Sequence, residues 1–136
     1  MAELDEVRIL ALFPTERQGQ IRRQLAPLGV SIDFVDGANA LSHLTHGGTV
    51  YGVALLPAAI SGNGWWSLWG ELMLLNPRPE ILVYARTASF QLWSGVLEAG
   101  GYDVIVEPIT EEELQRAVVR AARSFQERCA NENTND

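Results

Sequence analysis

Short, almost unbroken apolar runs recur along this chain, each separated from the next by a stretch with helical spacing. That rhythm constrains the fold more than any other feature. Val7 to Phe13 is the first such run, too short for a helix and of the kind that forms a strand buried on both faces. Pro14 and Thr15 open a polar stretch in which Ile21, Leu25 and Leu28 recur at helical spacing, with Gly29 as its C-terminal cap. Val30 to Val35 reads as a second strand, Asp36-Gly37 as a turn, and Ala38 to Leu44 as a short helix stopped by Gly47-Gly48. Val50 to Leu56 is the third strand, and a loop from Pro57 to Gly64 leads into a helix around Trp65 to Leu75.

Pro77 and Pro79 bracket the approach to a fourth strand, Ile81 to Ala85. Thr87 to Ala99 reads as a fourth helix and Tyr102 to Val106 as a fifth strand, after which Pro108 interrupts the chain. The last helix is the best signalled. Thr110 and Glu113 form a capping box, and Leu114, Ala117, Val118, Ala121 and Phe125 share one face. A single domain over residues 1–129 is expected, followed by a disordered tail over 130–136. Five strands alternating with five helices imply right-handed crossovers, a parallel sheet covered on both sides, and a functional site at the carboxyl ends of the strands.

Composition narrows the function. At 136 residues and 47% hydrophobic, the chain suits one core. Its formal charge is -7, and all ten basic residues are arginine, scattered along the chain instead of striped on one surface. An acidic protein of this kind repels polyphosphate, so direct nucleic-acid binding is not expected. The first residues, Met-Ala-Glu-Leu-Asp-Glu, carry no apolar run of signal length, and no segment reaches the roughly 20 apolar residues of a membrane span. The expectation is a cytoplasmic protein without a membrane partner. The single cysteine, Cys129, has no cysteine with which to form a disulfide or share a zinc site.

Several fragments, in order, carry a family likeness: Val35-Asp36-Gly37-Ala38-Asn39-Ala40-Leu41, then Val53-Ala54-Leu55-Leu56 with Ile60-Ser61-Gly62, then Leu97-Glu98-Ala99-Gly100-Gly101-Tyr102-Asp103 and Glu107-Pro108. With these the chain resembles the receiver domain of two-component response regulators from about Val7 to Phe125. The resemblance implies a three-layer, doubly wound, flavodoxin-like α/β domain whose five-stranded parallel sheet has the order 2-1-3-4-5. It also implies a place in signal transduction.

Receivers hold Mg²⁺ with an acidic pair after the first strand, accept a phosphoryl group on an aspartate after the third, and bind it with a hydroxyl and a lysine. By resemblance the acidic pair falls on Phe13 and Pro14 and the acceptor on Pro57; the hydroxyl falls on Tyr84, the lysine on Glu107 and the fifth strand's aromatic switch on Val104. Neither Phe13, Pro14 nor Pro57 can ligate a hard cation or attack phosphorus. A shift of the alignment does not repair this. No carboxylate lies between Val7 and Thr15, the only one between Val50 and Asn76 is Glu71, and the chain contains no lysine. Glu107 at the lysine position would repel a phosphoryl group. The resemblance is therefore to a degenerate, or pseudo-, receiver without aspartyl phosphorylation, while Pro108 preserves the family's option of a cis peptide.

Other candidate chemistry is sparse. Gly62-Asn63-Gly64 opens a helix after a strand, but Ser67 stands where a dinucleotide-binding motif needs its third glycine. His43 and His46 lack further metal ligands, and Asp36 follows the second strand, where a turn residue is its simpler role. Ser61 and Thr15 sit at strand ends, yet neither histidine belongs to a segment that reaches them. No enzyme activity, cofactor or metal is expected.

The tryptophans are the positive feature. Trp65, Trp66 and Trp69 crowd one helix whose buried stripe is already supplied by Leu68, Leu72 and Leu75, and Trp93 lies on the next helix. Two tryptophans left outside would form an apolar patch of contact-site size, although Trp65 and Trp66 could instead fill space around Pro57. The expected function is phosphorylation-independent association with a protein partner or in a homodimer. The candidate surface comprises Trp66, Trp69, Gln91, Trp93, Val106, Glu107, Arg116, Arg120 and Arg123. The alternative is a small-ligand sensor whose apolar cleft is lined by Phe13, Pro57, Trp65 and Tyr84.

Overall fold

Alternate residues of the first strand face opposite sides of the sheet, and both sides are covered, which is why the run is apolar from Ile9 to Phe13. Ile9, Ala11 and Phe13 enter one core and Leu10 and Leu12 the other. A computed structural model describes residues 7–58, 64–87 and 89–134, with the side chains of 38, 64–67 and 132–134 outside that description. Ile60, Ser61, Gly62 and Asn63, singled out above, lie outside it, as do the side chains of Trp65, Trp66 and Ser67.

In chain order the elements are β1 (Arg8–Leu12), α1 (Thr15–Leu25), β2 (Ser31–Val35), α2 (Ala38–Thr45), β3 (Val53–Pro57) and α3 (Gly64–Met73). They continue with β4 (Glu80–Ala85), α4 (Phe90–Glu98), β5 (Asp103–Val106) and α5 (Glu111–Thr134). All strand pairs are parallel, and the sheet order is β2-β1-β3-β4-β5. This is the doubly wound α/β architecture expected from the sequence. One face packs against α1 and α5 through Ile21, Leu25, Leu114, Val118, Ala121 and Ala122. The other packs against α2, α3 and α4 through Leu41, Leu68, Trp69, Leu72 and Val96.

The boundaries have local causes. Helix α1 ends in a 3₁₀ turn over Ala26–Leu28 and is closed by Gly29, whose φ of 69° is a left-handed conformation that glycine adopts without side-chain strain. Strand β3 starts at Val53 and not at Val50. A Cβ on Gly52 would lie 2.7 Å from Val7 and 3.0 Å from Phe125, so only a glycine lets the chain pass there. Helix α4 starts at Phe90 and not at Thr87, because Ser89 is extended and its Oγ accepts the Leu92 N–H at 3.0 Å, an N-cap that sets the first turn. The Thr110 Oγ1 accepts the Glu113 N–H at 3.2 Å at the start of α5.

Helix α5 continues past Ala130, where the sequence reading begins its tail, to Thr134. Its end is tied to the approach to β4. Arg128 donates to the Arg78 carbonyl at 2.7 Å and lies over the Phe125 ring, while the Ser124 hydroxyl donates to the buried Glu80 carboxylate. The Asn76–Pro77 and Glu107–Pro108 peptides are cis.

Candidate functional site

The carboxyl ends of the strands hold an aromatic and ionic cluster. Phe13, just past β1, is fully buried, and its N–H donates to the Val35 carbonyl at 3.0 Å. Its ring stacks on that of Tyr84, with centroids 4.3 Å apart and planes 3° from parallel. Tyr84 lies on β4, in register with Pro57 of β3, and it reaches past that strand to donate its hydroxyl proton to the Leu12 carbonyl at 2.5 Å. A phenol is needed at this position to span that gap. A threonine or serine hydroxyl would stop several bonds short.

Arg17, in the first turn of α1, covers both rings, with its guanidinium 5.4 Å from the Phe13 centroid and 5.6 Å from that of Tyr84. The same guanidinium pairs with Glu107 at 2.5 Å, the two side chains being 32% and 18% exposed. Glu107 is fixed by its backbone as well, donating its N–H to the Ala85 carbonyl at 2.8 Å. A cation over an aromatic face is worth about 0.5–2 kcal/mol depending on its desolvation, and here one cation serves two rings and a half-buried carboxylate. Burial raises the Tyr84 phenol to about 12; the Arg17 charge opposes that rise and the Glu107 charge adds to it. The phenol therefore stays protonated and remains a donor at neutral pH.

These contacts bear on the positions assigned from the sequence. Phe13, Tyr84 and Glu107 are brought together, Pro57 flanks them, and Pro14 is exposed as the residue before α1. Val104 lies on the far side of β5, packed against the other core. Of the four residues of the ligand-cleft alternative, Phe13 and Tyr84 are in face-to-face contact, and the Trp65 side chain lies outside the described residues. Arg17 was not foreseen. Its place in α1 gave no sign that it would fold over two rings contributed by β1 and β4.

A second region lies between α4 and the edge strand β5. Ser89, Phe90, Trp93, Val104 and Val106 line a groove of about 260 Å³. Phe90 is 75% exposed and Trp93 45%, their rings 6.1 Å apart and tilted by 42°. The Ser89 Oγ is occupied as the helix cap, and the Val104 N–H is held by the Asp103 carboxylate at 2.8 Å, so two polar groups beside the groove are already satisfied. Phe90 was also missed, although its spacing of three from Trp93 places both on one helix face.

The proposed contact residues divide. Trp93 and Val106 line the groove, and Gln91, Arg120 and Arg123 are exposed. Arg116 is exposed and paired with Glu112 one turn earlier at 2.6 Å. Trp69 requires a correction: it is 4% exposed and donates its indole N–H to the Ala99 carbonyl at 2.9 Å. A Cβ on Gly101 would come within 2.8 Å of the Trp69 ring, which shows how closely that ring packs against the turn into β5. The leucine stripe of α3 leaves room in the core for this one tryptophan. Trp66 lies outside the described side chains.

His43 and His46 are both exposed, and the His46 ring meets the Ser42 carbonyl at 2.8 Å. Among the described residues, no group of three or more His, Cys, Asp or Glu is placed to hold a metal ion, and no helix is long and apolar enough to cross a membrane.

No protein-family model matches the sequence, and no curated protein matches it. The fold, in contrast, is shared with solved receiver domains. The signal receiver domain of an HD domain-containing protein from Pseudomonas fluorescens Pf-5 superposes with a TM-score of 0.79 at 15% identity, over 93% of each chain. A response regulator receiver domain protein from Clostridium thermocellum gives 0.76 at 13% identity, over 88% of this chain and 97% of that one. NtrX from Brucella abortus gives 0.80 at 15% identity, with 93% of this chain matching 29% of that one. The chain therefore has a receiver-like fold.

Proposed function

We propose that this chain is a receiver-like signalling domain that acts by protein association at the α4–β5 groove, without aspartyl phosphorylation. The observation that carries the reading is the cluster at the strand ends: two stacked rings, covered by an arginine that is itself paired with Glu107, include the positions to which the resemblance assigns a receiver's metal and phosphoryl chemistry. A phenyl ring offers no oxygen to a hard cation, and a proline ring offers no nucleophile to phosphorus. Glu107 contributes a negative charge where phosphate binding calls for a positive one.

The groove supports the other half of the reading. Phe90 and Trp93 expose aromatic surface beside an apolar floor, the composition that marks contact sites, and the exposed Gln91, Arg120 and Arg123 on α4 and α5 offer polar contacts. The partner is a protein or a second copy of the chain, in a two-component type of assembly in the cytoplasm. No catalytic step is assigned to the domain.

The test is association measured by sedimentation, first in EDTA and then with Mg²⁺ and acetyl phosphate, with intact mass followed in parallel. The wild type is expected to associate equally in both conditions, and Phe90→Ser and Trp93→Ser to lose association. A mass gain of one phosphoryl group, or groove variants that associate like the wild type, would refute the proposal.

A further inference from the structure

We propose that the Arg17–Glu107 pair is a positioning latch that sets the shape of the α4–β5 groove. Its functional sense rests on the association reading, whereas its physical content does not. Three contacts build the latch. The Tyr84 hydroxyl anchors its ring to the Leu12 carbonyl, the Phe13 ring stacks on it, and Arg17 lies over both. Arg17 is thereby held from below before it meets Glu107, which it engages at 2.5 Å.

Glu107 is the residue that connects the two regions. Its backbone N–H is bonded to the Ala85 carbonyl, its carboxylate is drawn to Arg17, and its neighbour Val106 lines the groove. The chain on the other side is restrained too, since Ile109 is buried and its carbonyl accepts from Gln24 at 3.2 Å. Without its cation, the Glu107 carboxylate, now 18% exposed, would be left partly desolvated beside two aromatic rings. Turning outward to gain water would strain the Glu107 N–H bond to the Ala85 carbonyl, and with Ile109 also held the strain falls on residues 106–108. Val106 would move with it. The latch thus joins the ends of β1, β4 and β5 and the first turn of α1 into one unit.

The experiment follows the backbone amides of Val104 and Val106 and the Trp93 indole by ¹H–¹⁵N NMR in Arg17→Met, Glu107→Gln and the double variant. Methionine keeps an apolar stem over the rings and glutamine keeps the shape of glutamate. The expected result is that each single variant shifts the same three resonances in the same direction and that the double variant shifts them no further. The swapped pair, Arg17→Glu with Glu107→Arg, is expected to return them toward the wild-type positions. Should Arg17→Met fail to fold, Glu107→Asp supplies the second variant: it keeps the charge but shortens the reach, and it should shift the same resonances.

A lowered melting temperature with the three resonances unmoved would mean a merely structural ion pair and would overturn the proposal. Additive shifts, or a swapped pair that restores nothing, would overturn it equally. Failure of the association reading looks different: Phe90→Ser then leaves association intact while the latch variants still move the groove.

Discussion

Two pairs of aromatic residues in this domain differ in their geometry and in what surrounds them. Phe13 and Tyr84 are parallel at 4.3 Å, buried, and roofed by Arg17, whereas Phe90 and Trp93 are tilted at 6.1 Å and face solvent. The first pair closes the end of the sheet where a receiver works; the second opens a groove on its flank. Aromatic content alone does not mark a site. A ring becomes core when the elements on either side of it can cover it, as β1, β4 and α1 do for Phe13. It remains a contact surface when its element lies at an edge, as α4 does beside β5.

The largest effect that separates the two regions is on stability. Phe13→Ala is expected to cost about 3–5 kcal/mol in urea unfolding, as does Trp69→Ala, while Phe90→Ala costs less than about 1 kcal/mol. Equal costs for Phe13 and Phe90 would erase the distinction between closed end and open groove.

Next comes the Tyr84 hydroxyl. Tyr84→Phe leaves the Leu12 carbonyl without its partner and is expected to cost about 1–2 kcal/mol. It also carries a pH signature. The folded-state pKa of Tyr84 is raised to about 12 from 10.0, so the stability it contributes is complete below pH 10 and is lost as pH rises from 10 to 12. Tyr51, raised to about 12 by burial and by its hydrogen bond to Asp33, behaves in the same way. Unfolding free energy measured across that window should fall in the wild type, by on the order of 1.4 kcal/mol per pH unit for each tyrosine, and about half as steeply in Tyr84→Phe. An unchanged slope would place the Tyr84 phenol in water.

Trp93→Ser sharpens the comparison from the other side. Association should be lost while the unfolding free energy changes by less than about 1 kcal/mol, a pattern that substitution of Phe13 or Tyr84 should not reproduce. The smallest effect belongs to Arg116→Ala, which breaks an exposed pair one turn apart on α5 and should change stability by no more than a few tenths of a kcal/mol.

Much of this was legible in the residues themselves. The strand runs, the Gly29 cap, the Thr110 cap and the two-sided burial follow from short-range pattern, and the absence of a carboxylate between Val7 and Thr15 and of any lysine is read directly from the chain. Other features were not legible. Val50 and Thr87 read well as strand and helix until Gly52 and Ser89 exert their local effects. The leucines of α3 made Trp69 look superfluous to the core, because spacing along one helix says nothing about the room left by the turn at Gly101. Arg128, which holds α5 past Ala130, finds its partners at positions 78 and 80, roughly fifty residues earlier in the chain.

The sequence alone determined the class of the fold and which chemistry is missing, because apolar period and side-chain type are properties of single residues and their near neighbours. Only the tertiary structure decided what stands at the carboxyl ends of the strands. Arg17 meets Glu107 across ninety positions, over rings from two strands separated by a third, and that arrangement exists only once the sheet has brought those strand ends together. The groove is the converse case. Phe90 and Trp93 are neighbours on one helix, but their exposure depends on α4 lying at the edge of the sheet, which no local pattern specifies.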